Sequence, residues 1–219
     1  MKAAQEEFDL AIVYHEVWKP AAYDAELHQR IGASFASNAF LVVRTALRRE
    51  MLLALMRLWD RSRGLIRLDR IVTALRDQSV IETLVAERTP LNLAEASDQI
   101  RAELMQKRDA ALALIRKYNT GGSHSRVLEH LQTLRNQRLA HRHVGETRVE
   151  GNPNDNEIGD FYSDMSTLIR HLMSLFLATG YDRSETGGVY RHHAQFFWHA
   201  SWASELKVIP IIEVRDQPD

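Results

Sequence analysis

Residues 127–144, VLEHLQTLRNQRLAHRHV, restrict the fold more than any other stretch of the chain. On a helix of about 3.6 residues per turn, Val127, Leu128, Leu131, Leu134 and Leu139 line one stripe, as in an ordinary core helix. Arg135, Arg138 and Arg142 then occupy that same stripe instead of the wet side. Cations fixed beside an apolar seam are costly unless an anion, a carboxylate or a water-filled cleft meets them. His141 stands three residues after Arg138 and six after Arg135, adding a group that trades protons near neutrality. The spacing leaves two readings open: a surface that receives phosphate, or guanidinium groups neutralised by Asp and Glu of neighbouring helices.

Helical spacing recurs along the rest of the chain. Phe8, Ala11, Ile12 and His15 mark a first helix, with Pro20 ending it or opening a second that runs to Arg30 before Gly32. Residues 34–59 carry apolar side chains around much of the circumference, from Phe40, Leu41, Val42 and Val43 to Met56 and Trp59, which predicts a helix buried on several sides. Arg44, Arg48 and Arg49 interrupt it, either snorkelling at a rim or reaching toward the later motif. A short amphipathic helix is expected over 65–77. Ser79 with Glu82 reads as a capping box for the next helix, which Pro90 stops. Asn92 with Glu95 forms a second capping pair, ahead of a helix of about seven turns. Gly121 and Gly122 end that helix at a turn between antiparallel neighbours.

Residues 145–160 are polar and turn-rich, a loop beside the motif. The next helix carries Ile158, Phe161, Tyr162, Met165, Leu168, Leu172 and Phe176 as a core stripe, and Gly180 caps it. A final helix bears Tyr190, Ala194, Phe197, Trp198, Trp202 and Leu206 on an aromatic side, suited to the bundle or to a partner subunit. His192 and His199 share its face two turns apart, poor spacing for zinc, so no metal site is expected. The tail VIPIIEV is short and apolar, suited to docking as an extended arm.

These patterns describe an all-α chain, and its 219 residues suffice for one bundle with a substantial core. The formal net charge of -1 supplies no bulk attraction to nucleic acid. Local charge does exist, because residues 123–148 hold five Arg against two Glu, with His124, His130, His141 and His143 in addition. Arg outnumbers Lys 23 to 5, a bias that favours bidentate contacts with phosphate or carboxylate and equally fits a genome rich in G and C. The absence of cysteine excludes disulfides, thiolate zinc sites and cysteine nucleophiles. The acidic amino terminus lacks the apolar run of a secretory signal, and no stretch reaches about 18 apolar residues, so a cytoplasmic protein with no membrane partner is expected.

The segment RNQRLAH resembles the signature of the HEPN superfamily of helical RNases and RNA-binding domains. Arg135 is followed by polar Asn136, and five residues separate Arg135 from His141, within the four to six of that family. The segment RLWDR at 57–61, closing a long apolar helix, looks like the AbiU-type abortive-infection branch. The resemblance implies a single-domain antiparallel helical bundle over 31–180, with a helical extension at 1–30 and an aromatic helix and tail at 181–219.

It also implies metal-independent RNA cleavage of a defence or toxin type, with no cofactor. His141 would serve as base or acid toward the 2′-hydroxyl and the leaving oxygen, and Arg135 would neutralise the transition state. Asn136 would orient the phosphate or His141; Arg138, Arg142 and His143 would hold the RNA backbone. On an ideal helix Arg135 and His141 lie about 9 Å apart along the axis and roughly 120° apart around it, so one copy of the motif does not converge alone. The family resemblance implies a homodimer whose two motifs line one cleft, and a possible antitoxin as further partner. A related branch has Tyr two residues after the His; here His143 stands there, so modification by a nucleotidyltransferase is not expected. The alternatives are a catalytically silent module of the same fold that binds RNA or nucleotides, and a helical scaffold whose Arg face is covered by acidic residues.

Overall fold

The computed structural model describes residues 1–32, 34–60, 68–90, 94–135 and 154–200. Among these there are nine α-helices and no strand: α1 (Lys2–Tyr23), α2 (Ala25–Gly32), α3 (Ser37–Arg57), α4 (Leu68–Arg76), α5 (Gln78–Arg88), α6 (Ser97–Tyr118), α7 (Ser125–Leu134), α8 (Asp155–Leu177) and α9 (Arg183–Ala200). The all-α expectation holds.

Two long antiparallel pairs build the bundle. α1 runs against α3, tied by Glu7 and Arg57 at 2.5 Å. α6 runs against α8, where the Asp164 carboxylate accepts from Lys117 Nζ at 2.5 Å and from the Tyr118 hydroxyl at 2.6 Å. Between the pairs lies a continuous core containing Phe8, Ile12, Leu52, Leu55, Leu104, Ile115, Phe161, Met165 and Leu172. Each such side chain contributes about 1.5–3 kcal/mol through burial. α9 packs alongside α1, where Trp198 and Ala194 join Ala21, Leu27, Ile31 and Phe40 in a smaller cluster.

Several expectations need correction. Pro20 lies inside α1 rather than at its end. The position explains the tolerance: in the last turn the missing N–H forfeits one bond, to the Glu16 carbonyl, and the helix closes soon after with Asp24 N–H on the Pro20 carbonyl at 2.9 Å. α3 is not buried all round, since Leu41, Val42 and Val43 are 52%, 69% and 40% exposed. Its second half supplies the core through Met51, Leu52, Ala54, Leu55 and Met56, whereas in the first half only Phe40 is fully buried. Asp77, not Ser79, caps α5: its carboxylate accepts from Ser79 N–H at 2.9 Å, and Glu82 turns to Arg101 and Gln78. α8 ends at Ala178 in the left-handed conformation, φ 51°, with Gly180 beyond it. Its start is a full capping box between Asn154 and Glu157. The expected Asn92 cap and the 201–219 tail, with Trp202 and Leu206, lie outside the described residues.

Candidate functional site

α6 and α7 are joined by a turn built on two glycines. Gly121 takes φ 84°, and a Cβ on Gly122 would stand 2.1 Å from the Arg116 carbonyl oxygen. The turn closes with His124 N–H on the Lys117 carbonyl at 2.9 Å. α7 then buries Val127, Leu128, Leu131 and Leu134 against the core, which is the stripe read from the sequence. Arg135 caps this helix with helical φ and ψ of −56° and −53°, so its side chain leaves at the edge of the bundle.

The other half of the site comes from the end of α3. Trp59 wedges into the core, donating its indole N–H to Met165 Sδ at 3.2 Å and standing edge-on to Tyr118 at 6.2 Å between ring centres. Tyr118 in turn meets Phe161 edge-on at 4.9 Å. Burial, reinforced by the bond to Asp164, pushes the Tyr118 hydroxyl far above its ordinary value, so it stays a donor. This aromatic anchor delivers the next residue, Asp60, to Arg135. Asp60 Oδ2 accepts from Arg135 Nη1 at 3.1 Å, with the side chains 20% and 23% exposed.

Arg135 therefore has a carboxylate partner, as one of the two sequence readings required, but it is not sealed in. Asp60 also lines a cavity of about 450 Å³, together with Trp59, Leu68, Val72, Thr73, Arg76, Ile115, Asn119 and Thr120. Part of the lining is apolar. The rest carries the Asp60 carboxylate, a guanidinium, two hydroxyls and an amide; the guanidinium is able to meet a phosphate, and the hydroxyls and amide the polar edge of a planar ligand.

Asn136, Arg138, His141, Arg142 and His143 lie outside the described residues, so of the residues singled out from the motif Arg135 is the one the structure places. Sequence reasoning quoted Asp60 within RLWDR without giving it a role. The signal was a lone acid directly after a Trp at a helix end. Arg76 and Asn119 went unnoticed because nothing local distinguishes them; α4 and the α6–α7 turn bring them to Asp60 only in three dimensions.

The sequence model of the AbiU2 HEPN family matches residues 1–197, from α1 through most of α9. The chain belongs to this family of HEPN domains. Both Asp60 and Arg135 fall within the residues that match AbiU2. Membership makes the chain an abortive-infection HEPN domain, as RNQRLAH and RLWDR implied. No curated protein and no solved structure matches the chain. No helix among the described residues is long and apolar enough to cross a membrane.

Proposed function

We propose that this AbiU2-type HEPN domain is a metal-independent endoribonuclease acting in defence in the cytoplasm, and that it cuts RNA through the 2′-hydroxyl. The observation that carries the reading is Arg135 paired with Asp60, a residue that itself lines a cavity. A guanidinium pre-oriented by a fixed carboxylate needs little reorganisation to meet a phosphorane. His141 supplies proton transfer, Asn136 orients, and Arg138, Arg142 and His143 track the backbone. Two subunits contribute one motif each to a shared cleft, which provides a second His141 for the second proton transfer. A protein covering that cleft would act as an antitoxin.

The test is incubation of purified protein with RNA in EDTA. Cleavage leaving 2′,3′-cyclic phosphate ends, lost in folded Arg135→Ala and His141→Ala proteins, is the expected result. Cleavage that requires added metal, or that survives both substitutions, overturns it. A silent RNA- or nucleotide-binding module is the second reading, favoured by the carboxylate already on Arg135. Salt-sensitive binding without turnover selects it.

A further inference from the structure

The cavity beside Arg135 holds polar groups that the fold itself does not use. Asn119 spends its backbone on the turn: its N–H donates to the Ile115 carbonyl at 3.1 Å, and its carbonyl accepts from Gly122 N–H at 2.8 Å. Its side-chain amide, half-buried at the cavity wall, has no partner among the described residues, and neither has the Thr120 hydroxyl. Arg76, in the last turn of α4, likewise has no carboxylate among the described residues. Favourable placement at a helix C-terminus accounts for the Arg76 charge there. The Asn119 amide offers donor and acceptor side by side in a cavity that Leu68, Val72 and Ile115 also line.

Donor and acceptor together beside apolar side chains suit a nucleobase. The cavity, at about 450 Å³, lies within the size range of small-ligand sites and has room for one nucleotide. We infer that it is a base-selective subsite for the single RNA nucleotide adjoining the cut phosphate. Asn119 and Thr120 read the base edge, and Arg76 holds that nucleotide's outer phosphate. This rests on the endoribonuclease reading for the position of the cut, while the binding claim stands on the cavity alone. A base inserted here is unpaired, so the substrate is single-stranded RNA.

Two measurements separate the claims. In the first, the four nucleoside monophosphates are titrated into full-length His141→Ala protein, and into the same protein carrying Arg76→Ala, Asn119→Ala or Thr120→Val. One monophosphate is expected to bind about tenfold tighter than the weakest. Asn119→Ala and Thr120→Val should erase that spread, and Arg76→Ala should weaken all four about tenfold while leaving the parent nucleosides unchanged. In the second, cuts made by the active protein in an RNA pool of random sequence are mapped, and the base preference beside the cut should flatten in Asn119→Ala at unchanged thermal midpoint. Selective binding without cleavage keeps the subsite and removes the nuclease. Cleavage whose base preference is the same in Asn119→Ala removes the subsite and keeps the nuclease. Failure of all four monophosphates to bind, or binding indifferent to the three substitutions, overturns the inference.

Discussion

Asp60 and Arg135 are 75 positions apart in the chain and meet at 3.1 Å, one at the exit of α3 and the other at the cap of α7. The pair is partly solvated, so its worth to stability is about 1 kcal/mol or less. If its role is to aim the guanidinium, Asp60→Asn should leave the thermal midpoint nearly unchanged and lower the RNA cleavage rate tenfold or more, about 1.4 kcal/mol of transition-state energy. A midpoint that falls sharply with no loss of rate would make the pair a structural tie.

Glu16 presents the opposite case, a carboxylate only 4% exposed. Burial alone would raise its pKa, but hydrogen bonds from His15 at 3.2 Å and Arg191 at 2.9 Å outweigh burial and hold it at about 2, below the ordinary 4.5. A depressed pKa means stability fully present above pH 4.5 and lost as pH falls toward 2. The amount is about 3 kcal/mol. Chemical denaturation at a series of pH values should show this acid loss, and Glu16→Gln should be less stable at pH 7 and flatter over that window.

The α6–α7 turn makes a steric prediction. Gly122→Ala forces a Cβ to within 2.1 Å of a backbone oxygen, so the turn must deform. A loss of about 3 kcal/mol is expected. Gly121→Ala meets no atom within 4 Å and suffers only from its positive φ, about 1 kcal/mol. Equilibrium unfolding of both proteins checks the order, and equal losses would mean that the turn relaxes freely.

Ala178 invites the reverse substitution. It closes α8 at φ 51°, a conformation that carries a penalty for any residue with a Cβ. Ala178→Gly should therefore stabilise the protein by about 0.5–1 kcal/mol, read as a higher denaturation midpoint, despite the extra freedom glycine has when unfolded.

The elements that sequence alone revealed are those whose signal is local. Val127, Leu128, Leu131 and Leu134 repeat at helical spacing, and all four are buried in α7. Gly121 and Gly122 announced a turn through chemistry that no neighbour alters. The misreadings came where a tertiary fact decides. Leu41 and Val42 look like core and lie outside it, whereas the adjacent Phe40 is buried with Ala21 of α1 and Trp198 of α9, because only one face of this part of α3 meets its neighbours. Gly180 was the better cap by propensity, yet α8 ends at Ala178. For the site, Arg135 was visible as a charge on an apolar stripe. Its partner Asp60 was not, since no periodicity links positions 75 apart.

Arg48 Nη2 meets the Asp155 carboxylate at 2.8 Å, beside the capping box that starts α8. Arg135, where α7 ends, is tied just past the C-terminal end of the same helix α3, in whose middle Arg48 lies. From Arg48 to the end of α3 at Arg57 is about 14 Å of rigid rod. α3 thus works as a caliper: both anchorages of the motif-bearing stretch are clamped to one ruler. Lengthening that ruler by a turn, with every motif side chain untouched, would pull the two jaws apart by about 5 Å.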